Sequence, residues 1–261
     1  MTVHVEDEGP VRVVTIARPE VRNAVDRPTA DALDAAMADA DRAPEVHAVV
    51  LTGAGGTFCA GADLHAVGSG QPERVNRLER SHRGPMGPTR RVMATPTIAA
   101  VEGHAVAGGL ELAAWCDLRV ASDTAVFGVF CRRWGVPLVD GGTVRLTRLL
   151  GQSRAMDLVL TGRAVDADEA HAIGLVNRRC AAGEARTAAI ALAREVVGFP
   201  RDTMLADRAG VLAALDLPLD EALLAEHDRG IAAIDRGGMA DGVARFADGA
   251  GRGGRFDDHA G

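Results

Sequence analysis

The run His47–Thr52 (HAVVLT) is apolar at nearly every position. A strand that is apolar on both faces has to be covered on both faces, the condition met in a parallel sheet flanked by helices. Neighbouring segments agree. Residues 11–17 (VRVVTIA), 96–101 (PTIAAV) and 117–121 (DLRVA) read as further strands, and 29–42 carries Leu33, Ala36, Met37 and Ala40 on one stripe of an amphipathic helix. Strands alternating with helices predict an α/β fold. Beyond residue 150 the helical period takes over, at 152–160, 167–173, 184–197, 201–215, 219–234 and 239–247. The expected organisation is a core over 1–200 and a helical region over 201–261 that serves as cap or oligomer interface. The Gly-rich tail GAGRGGRFDDHAG is expected to fray.

Composition narrows the function. With 47% hydrophobic and 25% charged residues in 261, a sizeable core forms and wholesale disorder is excluded. The 29 basic residues are all arginine, which removes a Walker lysine, a Schiff-base lysine and a Ser-Lys dyad from consideration. A net charge of -7 argues against nucleic acid as a partner. No apolar run approaches the roughly 20 residues of a membrane helix, and the acidic opening MTVHVEDEGP has no signal-peptide core, so no membrane association is expected. Cys59, Cys116, Cys131 and Cys180 form no CxxC pair, which suits a reducing cytoplasm. His65 and His104 stand alone, there is no HExxH, and no metal site is expected.

Two glycine-rich segments carry the chemistry. In HAVVLTGAGGTFCAGADL, Gly53, Gly55 and Gly56 follow a strand, but Phe58 stands where a dinucleotide fingerprint needs its third glycine. The small residues Ala60-Gly61-Ala62-Asp63 either let backbone approach a ligand or form a plain turn. In PTIAAVEGHAVAGGLELAAWCD a strand runs into Gly108-Gly109 and an apolar helix with Glu111 in its first turn. A helix start offers unpaired N–H groups to a developing oxyanion. A carboxylate among Leu110, Leu112, Ala113 and Ala114 is either a proton-transfer group with a raised pKa or half of a buried ion pair with arginine. The Gly-, Pro- and Arg-rich stretch 66–91 reads as a mobile surface segment or as a lid over a pocket.

The segments Arg22-Asn23-Ala24, Ala60-Gly61-Ala62-Asp63-Leu64, Ala107–Leu112 with Cys116-Asp117, Phe127-Gly128, Gly141-Gly142-Thr143 and Leu160–Arg163 resemble, in order, those of the enoyl-CoA hydratase/isomerase (crotonase) superfamily. The resemblance covers about residues 5–200. It implies a spiral of ββα units with a helical C-terminal region. It also implies a homotrimer or dimer of trimers, and an acyl-CoA thioester as substrate with no further cofactor. It assigns Ala62 and Gly108 to an oxyanion hole, and Arg22, Ala24, Ala60, Asp63 and Leu64 to the CoA cradle. Glu111 matches the first of the two glutamates of the hydratases. The second should follow Phe127-Gly128 by three positions, where Cys131 stands instead.

A thiol is a poor acceptor for a water proton. Asp140, ahead of Gly141-Gly142-Thr143, lies where related isomerases and dehalogenases carry a catalytic aspartate, and it fits a helix N-cap equally well. The resemblance therefore implies hydration or isomerisation of an enoyl-CoA through an enolate. The alternatives are an enoyl- or dienoyl-CoA isomerase without hydratase activity and a non-catalytic CoA-thioester binder.

Overall fold

The computed structural model describes residues 1–249 and 251. The Gly-rich tail lies almost wholly outside the described residues. Two units are distinguished, residues 1–193 and 194–261.

The first unit is built on a six-stranded sheet. In chain order its strands are β1 (Val3–Glu8), β2 (Val11–Ile16), β3 (Ala48–Gly53), β4 (Thr97–Val101), β6 (Leu118–Ser122) and β9 (Arg178–Cys180). They lie side by side in that order, β1 antiparallel to β2 and all later pairs parallel. A second sheet holds β5 (His104–Val106), β7 (Val126–Gly128) and β8 (Val165–Asp166). β4 leads directly into β5, and β6 into β7, so consecutive strands enter different sheets before a helix follows. That is the ββα spiral, and the fold is the crotonase-type α/β fold. The isolated parallel bridge from Cys59 to Ala105 places the segment after β3 beside the second sheet in the same way.

Helix α1 (Arg27–Arg42) buries Leu33, Met37 and Ala40 against the sheet. Its N-terminus is capped by Asp26, which accepts from the Thr29 N–H at 3.2 Å, with Pro28 in the first turn. The stretch 66–91 is tied down along α1. Arg74 pairs with Asp26 at 3.0 Å, Arg77 with Asp31 at 2.9 Å, and Arg83 and Arg91 both with the buried Asp34 at 3.0 Å. It holds a short helix α2 (Leu64–Gly68) at its start and a 3-10 turn at Pro88–Arg90.

Asn23 fastens the turn before α1. Its Oδ1 accepts the Arg18 N–H at 2.9 Å, and its Nδ2 donates to the carbonyls of Ala54 (2.8 Å) and Thr57 (2.6 Å). The residue is fully buried at φ 56°. Asn23→Ala leaves buried backbone groups unpaired and is expected to cost about 3 kcal/mol of stability. Urea unfolding checks this as a lower midpoint at unchanged m-value.

The remaining helices of this unit are α3 (Gly108–Trp115), α4 (Gly142–Leu150), α5 (Gln152–Thr161), α6 (Ala167–Ala172) and most of α7 (Ala185–Val197). The second unit consists of α8 (Arg201–Ala213), α9 (Leu219–Asp235) and α10 (Gly238–Ala247), packed on one another. Many of its large apolar side chains are exposed, Val211, Leu219, Leu224 and Phe246 among them. No helix among the described residues is long and apolar enough to cross a membrane.

Candidate active site

The strand-to-helix turn at Ala107 begins the site. Ala107 takes φ 53°, ψ -124°, and α3 starts at Gly108 with no side-chain cap. The turn Ala60–Asp63 is pressed against it. Gly61 has φ +98°, and a Cβ there would come within 2.9 Å of both the Gly108 nitrogen and the Ala107 side chain. Only glycine allows that approach. It brings the turn that carries Ala62 against the start of α3. No hydrogen bond among the described residues uses the N–H of either.

Both residues line a cavity of about 380 Å³ that also holds Glu111, Cys131 and Asp140. Glu111 is 3% exposed and Asp140 2%. Each carboxylate is pinned by one oxygen. Glu111 Oε1 accepts from the N–H groups of Asp140 and Gly142, both at 2.8 Å. A Cβ on Gly142 would sit 2.8 Å from Glu111 Cγ, so glycine makes the room. Asp140 Oδ1 accepts from the Met86 N–H at 2.9 Å and from the Thr89 hydroxyl. Among the described residues Glu111 Oε2 and Asp140 Oδ2 have no hydrogen-bond partner and are not sealed in, since neither is among the buried unpaired atoms. Two half-satisfied carboxylates thus share one cavity.

Arg145 from α4 braces the arrangement without forming an ion pair. It donates to the carbonyls of Asp140 (2.8 Å) and Thr89 (2.6 Å). The buried ion pair considered for Glu111 is therefore not formed among the described residues. Burial, and then the neighbouring Asp140 charge, push the Glu111 carboxyl up to about 7, against the pull of its two backbone donors. Burial also raises Asp140, opposed chiefly by the Thr89 hydroxyl and the Met86 N–H. Cys131 is raised by burial and by the Glu111 charge, which disfavours the thiolate.

The helix-cap reading of Asp140 is corrected here. Gly141 is the N-cap of α4, and the side chain that accepts from the helix's first N–H, that of Gly142, is Glu111 rather than Asp140. The Asp140 side chain turns the other way, toward the 86–89 turn, because its Oδ1 finds two donors there. Sequence reasoning missed Met86, Thr89 and Arg145. They stand 54, 51 and 5 residues from Asp140, and no local pattern links the first two to it.

The other expected site residues divide. Ala60 and Leu64 line the cavity. Arg22, Ala24 and Asp63 lie outside its lining. Asp63 is buried, accepts from Arg18 at 2.9 Å, and caps α2 through the His65 and Ala66 N–H groups. Arg22 has φ 54°, and its carbonyl accepts the Ala60 N–H at 3.0 Å. His65 and His104 are exposed and do not line the cavity. The stretch 66–91 forms one wall through Val67, Val75, Asn76, Leu78, Pro85 and Met86. Among the described residues no group of three or more His, Cys, Asp or Glu is placed to hold a metal ion.

The family profile described as enoyl-CoA hydratase/isomerase matches residues 6–249. The chain belongs to the enoyl-CoA hydratase/isomerase family. It is 35% identical over 245 residues to the probable enoyl-CoA hydratase echA8 of Mycobacterium tuberculosis, covering 94% of each chain. It is 36% identical over 231 residues to the short-chain-enoyl-CoA hydratase of Clostridium acetobutylicum, covering 87% of each. Among solved structures it resembles the enoyl-CoA hydratase EchA1 from Mycobacterium marinum, with a TM-score of 0.88 and 35% identity over 95% of this chain and 96% of that one. Within this family the chain carries Cys131 in the 3-10 turn Phe130–Trp134, on the wall of the cavity that also holds Glu111.

Proposed function

We propose that the protein hydrates a 2-enoyl-CoA thioester, using Glu111 and Asp140 as its acid–base pair. The observation that carries this reading is the pair of buried carboxylates, each held by one oxygen and open through the other to the same cavity as two unused backbone N–H groups. The names of the relatives, several of them enoyl-CoA hydratases, support the substrate class.

In this reading the thioester oxygen accepts from the N–H groups of Ala62 and Gly108. As water adds to C3, charge moves onto that oxygen, and preorganised donors stabilise it. One carboxylate takes the water proton, and a carboxyl returns a proton to C2, so the product gains one water. A group near pH 7 suits both transfers, which is where burial puts Glu111. Asp140 takes the part for which the family pattern leads one to expect a glutamate at position 131. Ala60 and Leu64 flank the CoA portion, with Arg22, Ala24 and Asp63 behind them as the frame. No cofactor enters beyond the CoA of the substrate.

Cys131 favours a second reading. In this reading, without a carboxylate there, Glu111 and Asp140 serve only to move a proton between carbons, as in an isomerase. Incubation with trans-2-enoyl-CoA, read by mass spectrometry, separates the two. The expected result is a gain of one water. An unchanged mass with shifted absorbance means isomerisation. Binding with neither change leaves a non-catalytic binder.

A further inference from the structure

The walls of the cavity specify an acyl group that the family name leaves open. Apart from Glu111 and Asp140, its polar side-chain groups among the described residues are Asn76, the weakly polar Cys131 thiol and the Trp134 indole N–H at the rim. Asn76 Nδ2 spends its hydrogens on the carbonyls of Val25 (3.1 Å) and Pro85 (2.8 Å), and its Oδ1 is covered. A hydroxyl or charge on the acyl chain would find only the weak Cys131 thiol inside and the Trp134 indole N–H at the rim, and burying it poorly paired is costly.

The apolar wall continues to the surface. Val67, Leu78, Trp134 and Val139 line the cavity and are exposed, Leu78 and Trp134 each to 71%. Apolar side chains gathered on one exposed rim mark a place where a ligand covers them. One side of the wall is stiff. Phe130 lies under Arg133, whose Cζ is 3.9 Å from the ring centroid, and its ring crowds the place a Gly128 Cβ would take.

The volume agrees. At roughly 30 Å³ per water-sized group, a cavity of about 380 Å³ takes about a dozen non-hydrogen atoms, shared between the acyl thioester and the end of the CoA portion beside Ala60 and Leu64. A four-carbon enoyl thioester fills about half of that and leaves the rim bare.

Resting on the hydratase reading for the reacting end, we infer that the acyl group is an unsubstituted hydrocarbon chain longer than four carbons whose tail covers the Leu78–Trp134–Val139 rim. The test begins with binding, which needs no turnover. Calorimetry compares saturated butyryl-CoA, decanoyl-CoA and a ten-carbon chain ending in a carboxylate. Affinity should rise about twofold per added CH2, because rim positions bury each group only in part. That amounts to a gain on the order of 50-fold from four carbons to ten by the same per-CH2 scaling. The carboxylate-ended chain should bind at least tenfold more weakly than decanoyl-CoA. Leu78→Asp, at an exposed position that tolerates a charge, should weaken decanoyl-CoA at least tenfold more than butyryl-CoA. Equal affinity for four and ten carbons, or for the carboxylate-ended chain, overturns the inference. Tight decanoyl-CoA binding without water gain on any enoyl-CoA supports the chain-length inference and overturns the hydratase reading instead.

Discussion

Glu111→Gln is expected to lower turnover by about 10²-fold or more while making the protein more stable at pH 8. Glutamine keeps the acceptor oxygen for the Asp140 and Gly142 N–H groups, both at 2.8 Å, so the turn ahead of α4 stays in place. What disappears is the group that takes up and returns a proton, and loss of such a group typically costs 10²- to 10⁴-fold. The stability effect follows from linkage. In the fold Glu111 keeps its proton up to about pH 7, while the unfolded chain releases it near the ordinary value of 4.5. Between those values the folded state binds more protons, so stability falls as pH rises through the window, by about 3 kcal/mol in all, and levels off above it. The glutamine variant lacks that slope. Melting temperatures at pH 5 and pH 8 check this. The wild type should lose stability between the two, and Glu111→Gln should lose much less. Asp140, raised in the same direction, leaves a residual slope. A variant with near-normal turnover would remove Glu111 from the mechanism.

The reasons this site was half legible are physical. Glu111 stood out because an acid in an all-apolar helix demands an explanation, and the structure supplies one in its two backbone donors and its open oxygen. The strands β2, β3, β4 and β6 were read within one or two residues, since strands buried on both faces leave long apolar runs. β1 (VHVEDE) escaped because it is an edge strand with four exposed positions and four polar residues. β5, β7, β8 and β9 have two or three residues each, too few to show a period. The stretch 66–91 looked mobile because glycine, proline and arginine dominate it. Its arginines find their partners on α1, 46 residues away in the case of Arg77 and Asp31, a pairing no local pattern announces. For Asp140 the local signal favoured the wrong alternative. D-G-G-T before a helix fits a cap, yet the nearest strong donors for its side chain, Thr89 and Met86, are supplied by a distant turn.

Asp140→Asn should now lose turnover on the order of 10²-fold with little change in melting temperature. An asparagine Oδ1 accepts from the Met86 N–H and the Thr89 hydroxyl as the aspartate does. Its amide nitrogen then occupies the place of the free oxygen on the cavity, where it can neither take a proton nor bear charge. A cap would have been indifferent to the change, because asparagine caps as well as aspartate; α4 is not capped by this side chain, so indifference is not expected. Cys131 supplies the complementary test. It lines the same cavity and is close enough for Glu111 to raise its thiol. In the Asp140→Asn background, Cys131→Glu restores a second carboxylate without adding a third, and should recover at least tenfold of the lost hydration, a fraction of the usual acid–base contribution. In the wild-type background the same substitution crowds three carboxylates into one cavity and should lower the rate, since like charges there cannot all ionise. Steady-state rates of the four proteins on one enoyl-CoA decide the matter. Rescue in the first background with loss in the second assigns Asp140 the part of the missing glutamate. If both single substitutions leave the rate unchanged, neither residue moves a proton, and the reaction runs on Glu111 without Asp140.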